Sequence, residues 1–130
     1  MYRLMISLVA LILSATTASA EFSFTFEWGD IPACHTGQPN IVGSPAFVLK
    51  DVPAGTTSVR FKLKDRNNMR YNHGGGKVAV NGDGTLPFGA FKYKSPCPPL
   101  GVHTYEWTAT ALKGKKKLAT ARARRKYPEN

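Results

Sequence analysis

The chain has 130 residues, 42% of them hydrophobic and 20% charged, which is enough for one small core and too little for a second domain of ordinary size. Eighteen Lys and Arg against eight Asp and Glu leave a formal charge of +10, and an aromatic share of 11% argues against intrinsic disorder in spite of that charge. The composition describes a folded, basic, single-domain protein.

Residues 1–20 carry Arg3 near their start, continue through the apolar run Leu4–Leu13 and end on Ala18-Ser19-Ala20. This is the layout of a cleavable secretory signal, and the run is too short to span a bilayer. The expected domain is therefore 21–130, exported and either periplasmic or secreted. In it, Phe22, Phe24, Phe26 and Trp28 alternate with Ser23, Thr25 and Glu27, predicting a strand with one buried face. Gly29–Pro45, punctuated by Gly and Pro, reads as a long loop, and Ala46–Lys50 as a short strand.

Pro53-Ala54-Gly55-Thr56-Thr57 has turn chemistry and precedes an alternating strand, Ser58–Asp65. Val59, Phe61 and Leu63 share a face with Asp65, while Arg60, Lys62 and Lys64 face the other way. A carboxylate thus ends this strand on the core side, where it needs a partner or a pocket. Arg66–Gly76 reads as a loop, Lys77–Val80 as a short strand and Asn81-Gly82-Asp83-Gly84 as a tight turn. Phe91, Tyr93 and Ser95 share one face of a further strand. The segment Ser95-Pro96-Cys97-Pro98-Pro99 ends it, because Pro lacks the N–H that a ladder uses.

Val102–Leu112 is predicted as a long strand with His103, Tyr105, Trp107 and Ala109 on one side and Thr104, Glu106, Thr108 and Thr110 on the other. Lys113–Lys117 reads as a hairpin turn and Leu118–Tyr127 as the return strand. Strand after strand with no long amphipathic helix predicts an all-β, mainly antiparallel sandwich.

Cys34 and Cys97 are the only cysteines. In an oxidising compartment a Cys34–Cys97 disulfide is the preferred reading and two free thiols the alternative, provided the fold brings them within reach. The polar residues at strand ends form one constellation: Asp65, Tyr71, His73, Tyr93, Ser95, Pro96, His103 and Tyr105. Histidine and tyrosine donors beside a rigid Pro-Cys-Pro-Pro corner and the flexible Gly74–Gly76 suit a small anion. Both histidines are expected to donate to it, with Asp65 orienting one of them. A metal site on Asp65, His73 and His103 lacks a dense ligand cluster, and a Ser95–His–Asp65 triad lacks a nucleophile elbow. No metal and no cofactor are expected.

Eight basic residues, Lys113, Lys115, Lys116, Lys117, Arg122, Arg124, Arg125 and Lys126, follow residue 112, with Glu129 the only acid among them. For an exported protein their expected partner is an anionic membrane surface rather than nucleic acid, and solvated edge charges that block sheet aggregation are the plainer alternative.

The stretch from Ser44-Pro45 through Val52-Pro53-Ala54-Gly55-Thr56, followed by Tyr93-Lys94-Ser95-Pro96-Cys97-Pro98-Pro99-Leu100-Gly101-Val102-His103-Thr104-Tyr105, resembles the phosphatidylethanolamine-binding protein family, including its bacterial Raf kinase inhibitor-like branch. The resemblance implies a β-sandwich whose small cavity binds phosphate-bearing or phospholipid head groups without catalytic turnover. By position Asp65 looks like the first acid of that family's Asp-Pro-Asp motif, His73 like its pocket histidine, and Tyr93, Pro96, His103 and Tyr105 like the second half of the pocket. Arg66-Asn67-Asn68 replaces the Pro-Asp, Ser95 replaces a Gly, and the loop to His73 is short, which implies a more open and less acidic cavity. The expected function is an exported, non-enzymatic anion-binding protein. The alternative is an interaction protein, such as a protease inhibitor or envelope-surface binder, acting through the basic segment.

Overall fold

Alternation of apolar and polar side chains carries the chain into nine strands of a computed structural model that describes residues 10–14, 20–35 and 37–129. Most of the expected export signal, residues 1–9 and 15–19, lies outside the described residues. The strands are β1 (Ser23–Glu27), β2 (Ile41–Gly43), β3 (Ala46–Lys50), β4 (Ser58–Asp65), β5 (Gly75–Ala79), β6 (Gly84–Leu86), β7 (Lys92–Lys94), β8 (His103–Lys113) and β9 (Lys116–Tyr127). They form a three-stranded sheet ordered β1-β3-β6, a two-stranded sheet β2-β7 and a four-stranded sheet β5-β4-β8-β9. All pairings are antiparallel, and no helix occurs among the described residues.

The core is aromatic. Phe24 and Phe26 of β1, with Phe22 and Trp28 flanking it, meet Phe47, Phe61, Tyr105 and Trp107. Phe47 stacks on Phe61 at 4.2 Å and takes the edge of Trp107 at 5.5 Å, so the small and large sheets are joined ring to ring. Each fully buried ring contributes roughly 2–3 kcal/mol through apolar burial. Trp28 Nε1 donates to the Lys126 carbonyl at 3.1 Å, closing β1 over the end of β9.

Four elements differ from expectation. The long loop contains β2, a three-residue strand paired with β7. The strand expected at Lys77 begins two residues earlier, on Gly75. The turn at Gly84 runs into a short strand that pairs with β3, and β7 stops at Lys94, leaving Ser95 beyond it. Each very short strand is held by tertiary pairing and not by local pattern.

The basic residues after residue 112 do not form one patch. Lys113, Lys115, Lys116 and Lys117 crowd the β8–β9 hairpin end. Arg122, Arg124 and Lys126 are exposed on β9. Arg125 turns to the Phe26 ring, 5.7 Å from its centroid, and pairs with Glu129 at 3.1 Å.

Candidate functional site

Asp65 is the last residue of β4, placed inward by the same parity that buries Val59, Phe61 and Leu63. It sits opposite Tyr105 on β8, so His103, two residues earlier on the same face, is its diagonal neighbour. The Asp65 carboxylate, 4% exposed, receives two donors: His103 Nδ1 to Oδ2 at 2.6 Å and the Asn67 amide to Oδ1 at 2.8 Å. The Asn67 side chain in turn accepts from the Thr104 amide at 2.8 Å, and the Arg66 amide donates to the Thr104 carbonyl at 2.7 Å. The chain leaving β4 is thereby clamped to β8, and the acid is oriented before any ligand arrives.

His73 enters from the loop before β5 and is 3% exposed. Its Nδ1–H donates to the Lys94 carbonyl at 2.8 Å, while the Lys94 amide donates to the His73 carbonyl at 2.9 Å. Burial pushes its pKa below the ordinary imidazole value, against the opposing pull of the Lys94 carbonyl and the Asp65 charge. The ring is therefore neutral at pH 7, with Nδ1 as donor and Nε2 as a lone-pair acceptor. Both rings thus engage Nδ1 inside the protein, His103 with the Asp65 carboxylate and His73 with the Lys94 carbonyl. Tyr71 and Tyr105 meet the His73 ring edge-on at 4.6 and 5.5 Å. Burial also pushes the Tyr105 phenol well above its usual pKa, keeping it protonated.

These side chains enclose a cavity of about 330 Å³. Of the eight expected site residues, Asp65, Tyr71, His73, His103 and Tyr105 line it. Tyr93, Ser95 and Pro96 are not among its lining residues. Tyr93 is buried against Trp107 at 5.0 Å, and Pro96 is fully buried. Ser95 Oγ accepts from the Asn40 amide at 3.2 Å while the Ser95 amide donates to the Asn40 carbonyl at 2.9 Å. No hydrogen bond joins Ser95 Oγ to either histidine among the described residues, so a Ser95–His–Asp65 triad is not assembled. Among the described residues no three His, Cys, Asp or Glu converge as metal ligands.

The remaining wall comes from Asn67, Asn68, Cys97 and Pro99, with Gly37 and Pro39 opposite. Asn67 had a readable signal, since an Asn two residues after a strand-end Asp suits an Asx-type turn. Gly37 and Pro39 had none, because a disulfide brings them there. Cys34 and Cys97 are bonded, with Cα atoms 6.0 Å apart across a separation of 63 residues. A larger open depression of about 830 Å³ beside Phe22 and Pro53 contains no histidine and no buried carboxylate.

The architecture has a counterpart of known structure. A protein from Chlamydia trachomatis, described as a phosphatidylethanolamine-binding protein homologue, has a crystal structure that matches this one with a TM-score of 0.50 and 18% identity, covering 85% of this chain and 99% of that chain. The chain has a phosphatidylethanolamine-binding-protein-like fold. No protein-family model matches the sequence, and no curated protein matches it. The likeness is one of fold, and the ligand chemistry rests on the side chains of this chain.

Proposed function

We propose that the chain is an exported, non-enzymatic binding protein of the phosphatidylethanolamine-binding type, and that its cavity captures a small phosphate-bearing group. The observation that carries this reading is the Asp65–His103 contact of 2.6 Å opening onto the same cavity as the neutral His73. With Nδ1 committed to Asp65, the His103 ring is held in a fixed orientation at the cavity, and Asn67, whose Oδ1 accepts from the Thr104 amide, keeps its side-chain NH2 as a donor to an anionic oxygen. His73 offers the complementary group, an acceptor for a ligand O–H or ammonium. Donor and acceptor facing one cavity suit a hydrogen phosphate monoester or a phosphoethanolamine head group better than a fully ionised, acceptor-only anion. The role is capture, since the nearest hydroxyl nucleophile of the Pro-rich corner, Ser95, is engaged with Asn40.

Thermal unfolding and calorimetry of the purified protein with inorganic phosphate and with phosphoethanolamine test the proposal. Saturation at about a hundred times Kd should stabilise the fold by ~2.7 kcal/mol. His103→Ala and Asp65→Asn should abolish that gain while leaving the protein folded. A gain of equal size in His103→Ala, or none in the unsubstituted protein, would overturn it.

A further inference from the structure

The four-stranded sheet has a second face, turned away from the core and from the cavity, and its register sorts the side chains there into three lanes. β8 runs down the middle with Thr104, Glu106, Thr108 and Thr110 outward. β4 flanks it with Arg60, Lys62 and Lys64, register partners of Thr110, Thr108 and Glu106. β9 flanks the other side with Arg122, Arg124 and Lys126, partners of Thr108, Glu106 and Thr104. Arg60, Lys62, Arg122, Arg124 and Lys126 are exposed, Lys64 is half-exposed, and the threonines are half-buried. Short hydroxyl side chains between two banks of long cations make a shallow trough, about 10 Å across from β4 to β9 and ~20 Å long from Thr104 to Thr110 by strand geometry.

The one acid in the trough, Glu106, does not neutralise it. It is 6% exposed and is capped by Arg124 at 2.6 Å, with Arg122 and Arg66 each at 3.9 Å. Because the Arg124 contact uses Nε, that guanidinium keeps its outer N–H donors free, and the buried carboxylate holds it over the trough. The aromatic residues of these strands, Phe61, Tyr105, Trp107 and Tyr127, all have the opposite parity and belong to the core side.

We infer that this face binds a linear acidic polysaccharide, a sulfated or uronic acid chain lying along β8 between the two cationic banks. The charge complements a polyanion, the trough suits a single narrow chain, and the threonine floor offers donors and acceptors that match sugar hydroxyls. Single-stranded nucleic acid is disfavoured because its bases would find no aromatic stacking platform. A planar bilayer would touch the banks and leave the hydroxyl floor unused. The inference is independent of the cavity's ligand, since the two sites share no residue.

Calorimetry of the full-length mature protein with a heparin-derived oligosaccharide tests it, alongside vesicles containing phosphatidylglycerol and a charge-matched oligothymidylate. Removing one cation from each bank, Lys62→Gln with Arg122→Gln, should weaken oligosaccharide binding about ten- to thirtyfold and flatten its salt dependence. Thr108→Val should weaken oligosaccharide binding and leave vesicle binding unchanged. Replacing Lys115, Lys116 and Lys117 by Gln at the hairpin end should change it less than ~threefold, as expected for charges outside the trough. Thermal unfolding reports that each variant is folded. Equal loss in the hairpin variant, or tighter binding of vesicles or oligothymidylate than of the oligosaccharide at matched charge, would overturn the inference.

Discussion

His73 shows how a buried side chain acquires a defined role before any ligand is present. Its ring is 3% exposed, its Nδ1–H is spent on the Lys94 carbonyl, and desolvation holds its pKa below 6.5. The unfolded chain therefore accepts a proton that the folded chain resists. The resulting stability is fully present above pH 6.5 and is lost as pH falls through the lower folded-state pKa. Denaturant titrations over that interval should show stability declining as pH drops, with a shallower decline in His73→Gln, which keeps an amide donor for Lys94 without the titration. Parallel profiles for the two proteins would remove His73 as the source. Neutral His73 keeps Nε2 as a lone-pair acceptor at the cavity, which a protonated ring would lack.

Parity is the property of these strands that reads through from sequence. It places Asp65 on the core side of β4, and His103 and Tyr105 together on β8, so the centre of the site was already ordered along the chain. It says nothing of depth, which is why Tyr93, Ser95 and Pro96, on the expected segment, end up behind the wall instead of on it. It also fails where neighbours from elsewhere in the chain decide the local structure. Gly75 and Gly76 look like loop residues, yet they begin β5, because a Cβ on Gly75 would overlap the Phe61 carbonyl oxygen and one on Gly76 would enter the Phe91 ring. Such close approach is a reason for glycine inside a strand. Gly75→Ala should accordingly cost about 3 kcal/mol as an overpacking change. Gly74→Ala, at a φ of +75° in open space, should cost only ~1 kcal/mol of left-handed strain. Equal losses in equilibrium unfolding would show that the β4–β5 contact yields freely.

At the scale of the whole molecule, the two sides of the large sheet divide the chemistry. The inner side buries rings and one oriented acid, while the outer side carries cations around a single shielded one. The Cys34–Cys97 bond belongs to the inner side: it ties the segment bearing Gly37 and Pro39 to the Pro-rich corner, supplying a wall that no strand provides. Closing a loop of 63 residues stabilises a chain by ~4 kcal/mol in the entropy model, a large fraction of what a domain of this size holds. The Cys34→Ala, Cys97→Ala double variant should therefore unfold ~15 °C lower. Since Asp65, His103 and His73 keep their own hydrogen bonds to β8 and β7, phosphate should still bind the folded variant. It should bind more weakly, because the Gly37–Pro39 wall must now be ordered on binding. A variant that melts with the unsubstituted protein and binds phosphate equally would show that the Asn40–Ser95 hydrogen bonds alone hold that wall in place.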